Sequence, residues 1–366
     1  MLPEDALYRI ALKHIPLVGA VIARNLISYC GSPERVFKTP KRKLLKVPGV
    51  GDKVASNIQR KDVLQLAEEE LGMIVKRDIS MLFFLDESYP SRLKDLPQSP
   101  ILLYTKGKFD PNASRTMAIV GTRSPTHYGR TACARIVEEL RAFHPLIISG
   151  LAYGIDICAH REALRHNLPT LAVMGNGFGH IYPGQHRKTA NAMLEQGGLM
   201  TEFSYTTMPD RENFPARNRI VAGLADIVVV IESGDSGGSM ITAEFANSYN
   251  REVAAIPGRF IDDRSVGCNK LIRNHKAHLV ESGDDIVNLM GWEEGADRAL
   301  QTRLFTDLSE PERLILELLT SSIEHGLDDL SRKSNFPASQ LATVLLSLEL
   351  KGVVRAVPGK RYIRIS

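Results

Sequence analysis

The chain has 366 residues, room for two to three domains at ~150 residues each. Its 43% hydrophobic and 24% charged residues exclude a wholly disordered chain, and its 28 glycines and 19 prolines, lacking a three-residue period, exclude collagen. A net charge of +4 establishes no nucleic-acid partner by itself, no apolar run reaches the ~18–20 residues that span a bilayer, and four scattered cysteines (Cys30, Cys133, Cys158, Cys268) exclude a zinc ribbon or disulfide scaffold.

The opening MLPEDALYRIALKH carries Glu4 and Asp5 and no basic run, so it predicts no signal peptide. With unpaired thiols this predicts a cytoplasmic protein that does not touch a membrane. Residues 1–75 read as a helical domain. ALYRIALKHI places Leu7, Ile10 and Ala11 at helical spacing, and VIARNLISYC is a second amphipathic stretch. LLKVPGVGDKVASNI sets the turn Pro48-Gly49-Val50-Gly51 between two helical patterns, which predicts a helix-hairpin-helix. Gly49, Gly51 and Lys53 would then offer backbone N–H groups and a charge to one DNA phosphate, without reading sequence. IPLVGAVIARNLI reads as a degenerate first copy lacking the first glycine. Protein contact or a purely structural role stays open for this unit. Between Lys41 and Lys61 seven Lys/Arg face one acid, Asp52, which is either a phosphate-binding patch or a solvated basic face.

Residues 78–115 hold Pro90, Pro97 and Pro100, which break any long helix; the segment either packs on the next domain or forms an independent arm. From 116 to about 290, short apolar strands alternate with amphipathic helices. MAIV, PLIISG, TLAVMG, LMTEF, DIVVVIE and EVAAIPG are the strands, and HLVES is a candidate edge strand. The pattern predicts a doubly wound, Rossmann-like parallel sheet within an α/β domain spanning 76–292. Residues 306–366 read as helix, helix, helix, hairpin, a winged helix. Ser309 and Glu312 form a capping box at its start. Its recognition helix, 337–351, is poor in Arg and Asn. The wing carries Arg355, Lys360, Arg361 and Arg364, so protein contact or weak backbone contact fits better than base reading.

Ligands of open α/β sheets bind outside the carboxyl ends of the strands. Here those ends are unusually rich in anion-binding groups: Gly121-Thr122-Arg123, Gly150 to Gly154, Gly175 to Gly179, and Ser236-Gly237-Gly238-Ser239 with Thr242. Glycine lets backbone N–H groups approach an anion, and the following helix N-terminus adds positive potential. Any one loop is equally a plain turn; the set, with Arg123, points to several phosphates in a row. No GxGxxG with a downstream acid and no GxxxxGK[ST] is present, so neither a dinucleotide site nor a Walker A site is expected. Asn213-Phe214-Pro215-Ala216-Arg217-Asn218-Arg219 sets an aromatic beside guanidinium groups, a pattern suited to stacked bases and paired phosphates. His186-Arg187-Lys188 adds positive charge at a helix start.

Asp156 and His160 share a helix face. They are an acid/base or metal pair, or a hydrogen-bonded lock for the loop; no third metal ligand is evident. Glu202 and Glu244 are lone carboxylates that keep an enzyme reading open, that of a nucleoside monophosphate phosphoribohydrolase using the Ser-Gly-Gly-Ser loop for phosphate. GxSxG is missing, so no nucleophile elbow is expected.

Residues 75–290 resemble the DprA (Smf) family of bacterial DNA-processing proteins. The resemblance is carried by ESYPSRLKDLPQSPILLYTKG, AIVGTRSPTHYGR, ISGLAYGIDICAHREAL, AVMGNGFGHIYP, NFPARNRIVAGLAD, SGGSMITAEFA and NREVAAIPG. It implies a non-enzymatic, cofactor-free and metal-free protein. Such a protein binds single-stranded DNA, protects incoming strands and loads the RecA recombinase during natural transformation, as a homodimer formed through the Rossmann domain. By motif it implies that Arg123 holds a phosphate and that Phe214, Arg217, Asn218 and Arg219 line the strand path. Ser236 to Ser239 and Thr242 would be donors, and the basic residue after Tyr-Pro would be His186, Arg187 or Lys188. The family usually has Gly-Ala after the Leu-Ile pair, whereas Leu271-Ile272 here leads to RNHKAHLV, which puts the local dimer surface in question.

Overall fold

The structure, a computed structural model, describes residues 3–292, 308–319, 325–334, 336–351, 353–357 and 361–364. The chain divides into two units, 1–292 and 293–366. Six helices open the first: α1 (Ala6–His14), α2 (Ala20–Cys30), α3 (Pro33–Lys38), α4 (Lys41–Leu44), α5 (Asp52–Ile58) and α6 (Lys61–Lys76). Their apolar faces converge, so that Ile10, Leu26, Val36, Leu44, Ile58 and Ile74 are buried together. The same core continues through Phe83, Leu102 and Tyr104. The proline-rich segment is therefore a packed part of the unit. It forms β1 (Ser80–Phe83), α7 (Ser91–Lys94) and β2 (Leu102–Gly107), an antiparallel margin of the main sheet.

The turns before α2 and α5 are built alike. Gly19 (φ −90°, ψ −178°) matches Gly51 (φ −89°, ψ 179°). Leu17 (φ 68°) holds the left-handed position that Gly49 (φ 84°) holds in the second turn. Asn25 donates to the Pro48 carbonyl at 3.1 Å, and Asn57 donates to the Pro16 carbonyl at 3.0 Å. Each helix thus closes the other's turn.

The rest of the unit alternates strand and helix: β3 (Thr116–Gly121), α8 (His127–Glu139), β4 (Leu146–Ser149), α9 (Ile155–Arg165), β5 (Thr170–Val173), α10 (Arg187–Gln196), β6 (Gly197–Thr201), α11 (Asn213–Leu224), β7 (Ile227–Ile231), α12 (Gly238–Ser248), β8 (Glu252–Ala255), α13 (Val266–Arg273), β9 (His278–Leu279) and α14 (Gly283–Met290). The sheet order is β1-β2-β6-β5-β4-β3-β7-β8-β9, parallel from β6 to β9. Helices cover both faces, which is why β4, β5, β6 and β7 are buried along their whole length. The chain winds outward from β3 to β6, then returns through α11 to the other side of β3. The switch in winding therefore falls between β3 and β7, the place where open sheets leave a crevice. Among the described residues no helix is long and apolar enough to cross a membrane.

In the second unit α15 (Glu310–Leu318), β10 (His325–Gly326), α16 (Leu327–Ser334), α17 (Ala338–Leu350), β11 (Val354–Val357) and β12 (Arg361–Arg364) form a winged helix around Ile315, Leu330, Leu341 and Leu345. Glu312 accepts from the Ser309 amide at 2.7 Å, as the capping reading expects, and also from Lys351 (2.7 Å) and Ser347 (2.6 Å). It pins α15 to the end of α17. Lys360 and the expected linker at 293–305 lie outside the described residues.

Candidate nucleic-acid interface

The loops after β3, β4, β5, β6 and β7 share the carboxyl rim of the sheet, and the predicted rim residues lie there. The loop after β3 is anchored to its neighbour strand: the Thr122 amide donates to the Glu232 carbonyl at 2.7 Å. A Cβ on Gly121 would lie 1.9 Å from the Ile231 carbonyl oxygen, so a side chain there is excluded.

Three side chains from three elements clamp loop 150–154. Asp156 of α9 accepts from the amides of Gly150 (3.2 Å) and Ala152 (3.3 Å). Arg217 of α11 donates through Nη1 to the carbonyls of Gly150 (2.5 Å) and Val173. His186 donates from Nδ1 to the Leu151 carbonyl at 2.8 Å; a carbonyl only accepts, so the proton sits on that nitrogen. His160 does not pair with Asp156. Its Nδ1 meets Thr170 Oγ1 at 2.7 Å, and that hydroxyl donates to the Ile147 carbonyl at 3.0 Å. Burial first, then the positive charge of Arg217 and the neighbouring His186, pushes the His160 pKa down to about 3. Burial pushes the Asp156 carboxyl upward, while Arg217 draws it down. The lock is therefore Asp156 with Arg217 and His186, and His160 is a neutral core imidazole.

The Phe-Pro-Ala-Arg-Asn-Arg motif divides inward from outward. Arg217 is only 4% exposed, and its guanidinium is used by loop carbonyls rather than offered to a ligand. Asn218 accepts from Arg217 Nε and donates to the Gly238 carbonyl, each at 3.1 Å, tying α11 to the start of α12. Arg219 pairs with Glu202 and donates to the Gln98 carbonyl. The half-buried Phe214 ring faces the rim with the Arg123 guanidinium 5.6 Å from its centroid.

The outward cations are Arg123, Arg187 and Lys188, all exposed and without an ion pair among the described residues. Arg211, exposed three residues before Phe214, joins them; no motif in the sequence marks it. Ser236, Gly237 and Gly238 are exposed, but Ser239 and Thr242 are buried. Ser239 Oγ meets Ser233 Oγ at 2.8 Å and Thr242 Oγ1 donates to the Gly238 carbonyl at 2.9 Å. That loop offers the uncapped amides of α12 and the exposed Ser236 hydroxyl, but not the hydroxyls of Ser239 and Thr242. Glu202 is held by Arg219, whereas Glu244 is exposed and lines, with Ser236, Gly237, Lys270 and Lys276, a hollow of about 280 Å³ beside that loop. Gly49, Gly51 and Lys53 are exposed in the helical part, not on the rim.

Comparison with known proteins adds an independent line. The family described as DNA recombination-mediator protein A matches residues 80–291, and the DprA winged helix domain matches residues 301–360. Protein Smf of Synechocystis sp. is 31% identical and is covered, like this chain, over 100% of its length. DNA processing protein DprA of Streptococcus pneumoniae is 37% identical over 56% of this chain and 71% of its own. The solved structure of DprA from that organism superposes with a TM-score of 0.68 at 30% identity, over 77% of this chain and 97% of the other. The structure of DNA processing protein A from Helicobacter pylori, described for its single-stranded DNA binding mode, gives a TM-score of 0.53 at 29% identity, over 58% of this chain and 95% of the other.

Proposed function

This chain belongs to the DNA recombination-mediator protein A (DprA/Smf) family, and we propose that it binds single-stranded DNA along the carboxyl rim of its sheet. The observation that carries the reading is Arg123: an exposed guanidinium with no ion pair among the described residues, held over the ring of Phe214. Phosphates pair with Arg123, Arg187 and Lys188 and with the amides at the start of α12, while Phe214 supports stacking. Gly121, Thr122, Gly150, Arg217, Asn218, Arg219, Ser239 and Thr242 build the surface rather than contact the strand.

In this reading the protein has no catalytic step. It shields a bound strand and hands it to the RecA recombinase in natural transformation, in the cytoplasm, as a homodimer through the sheet domain. The turn at Gly49, Gly51 and Lys53 is an accessory backbone contact, and the winged helix docks a protein. The relative from Helicobacter pylori, described for its single-stranded DNA binding, supports the ligand class. Digestion of a labelled oligonucleotide by nuclease, with and without purified protein, tests the reading. Protection by the full chain supports it, and cleavage at the free rate counts against it. Removing residues 306–366 should leave DNA affinity intact while abolishing capture of the protein partner.

A further inference from the structure

The ring of Phe214 has little free face. Arg123 covers it from one side, and the Gly175 backbone lies so close that a Cβ there would come within 2.8 Å of Phe214 Cδ1. Tyr182 stacks on the same ring, with centroids 6.0 Å apart and planes 30° apart. Arg123, Phe214 and Tyr182 thus form one cluster of flat groups on the rim. Tyr182 is its solvent-facing plane, 46% exposed. A second exposed ring, Tyr153 at 40%, stands on the clamped loop after β4. His186 holds it edge-on at 5.2 Å and 72°, and the bond from His186 to the Leu151 carbonyl fixes that imidazole in turn.

A single exposed ring is ordinary on a protein surface. Two exposed rings on neighbouring loops beside a set of exposed cations offer flat apolar faces where a strand's phosphates would be held. These two sit on adjacent loops of a rim that also carries Arg123, Arg187 and Lys188. We infer that Tyr182, with Tyr153 beside it, is the nucleobase-stacking surface of this site, and that Phe214 is the support that orients Tyr182. The inference rests on the single-strand reading and refines it. Phosphate pairing alone accepts any polyanion, whereas a stacking plane demands unpaired bases. It therefore supplies preference for a single strand over duplex without sequence readout.

The test uses the full chain and two ligands of equal length and charge, an oligothymidine and an abasic deoxyribose-phosphate strand. Tyr182→Ala should weaken oligothymidine binding by about 5- to 150-fold, the range of one lost base stack. It should leave abasic-strand affinity, the salt slope and the thermal midpoint unchanged. Tyr182→Phe, which keeps the plane, should bind oligothymidine like the parent. Unchanged oligothymidine affinity in Tyr182→Ala overturns the inference, and so does an equal loss on the abasic strand. If the unsubstituted protein binds the abasic strand as tightly as oligothymidine, stacking is refuted while phosphate binding stands. If it binds neither, the single-strand reading itself fails and the inference with it.

Discussion

Arg217 gives the sharpest separation between holding the rim and using it. Arg217→Met keeps the length of the side chain and removes the guanidinium. The carbonyls of Gly150 and Val173 then lose their donor, and Asp156 loses the charge that offsets its burial. Leaving one buried polar group unsatisfied costs about 1–3 kcal/mol. Two carbonyls are stranded and Asp156 loses a neighbouring charge, and partial relaxation keeps the losses from adding fully, so a total of about 3–5 kcal/mol is expected. That is a large share of an ordinary unfolding free energy of about 5–15 kcal/mol. Trp292, the single tryptophan, is buried in the core on one sheet face and reports unfolding by fluorescence. With a urea dependence of about 3 kcal/mol per molar, the midpoint should fall by about 1–1.7 M. Adding Asp156→Asn to Arg217→Met should recover part of the loss, because the uncompensated carboxylate is gone. An unchanged midpoint in Arg217→Met would refute the clamp and return Arg217 to the ligand contacts.

Arg123→Ala should do the opposite: its stability stays within about 0.5 kcal/mol of the parent, as for an exposed side chain, while DNA affinity falls for every sequence alike. Losing one phosphate contact should lower the slope of log affinity against log salt by about 0.7, which a titration at several salt concentrations resolves. His160 makes stability acid-sensitive. Its imidazole stays neutral in the folded protein down to about pH 3, but an unfolded chain protonates it near 6.5. The unfolded state therefore binds the extra proton between those values. Its contribution is full above 6.5 and is lost at up to about 1.4 kcal/mol per pH unit as pH falls toward 3. His160→Gln should flatten that part of the profile; an unaltered slope would show that another group is responsible. Leu17→Gly should raise stability by up to about 1 kcal/mol, since Leu17 carries left-handed strain that Gly49 avoids in the matching turn. A lower urea midpoint in that variant would contradict the account of the repeated turn.

The sheet was readable because parallel strands buried on both faces carry continuous apolar runs, such as Ile227 to Ile231. The margin β1 and β2 was not, because β2 joins β6 by an antiparallel, long-range pairing and β1 only adds to β2, both set by packing against the helical core through Phe83 and Tyr104. At the site, composition located the rim but could not say which way a side chain turns. Arg123 and Arg217 look alike in sequence, yet one is exposed and the other serves carbonyls of the loop after β4 and the end of β5. Ser239 and Thr242 look like donors, but the first turn of α12 faces them inward. Tyr153 and Tyr182 stood in plain view in the Gly-rich motifs. Only their placement beside His186 and Phe214 distinguishes them from core rings.

On the proposed reading this rim binds single-stranded DNA through phosphate pairing. A labelled single-stranded oligonucleotide titrated with the full chain at two salt concentrations, with unlabelled duplex as competitor, tests it most directly. Saturable binding that weakens as salt rises and that duplex fails to displace is the expected result. Binding that duplex competes away, or no binding at the lower salt, would contradict it.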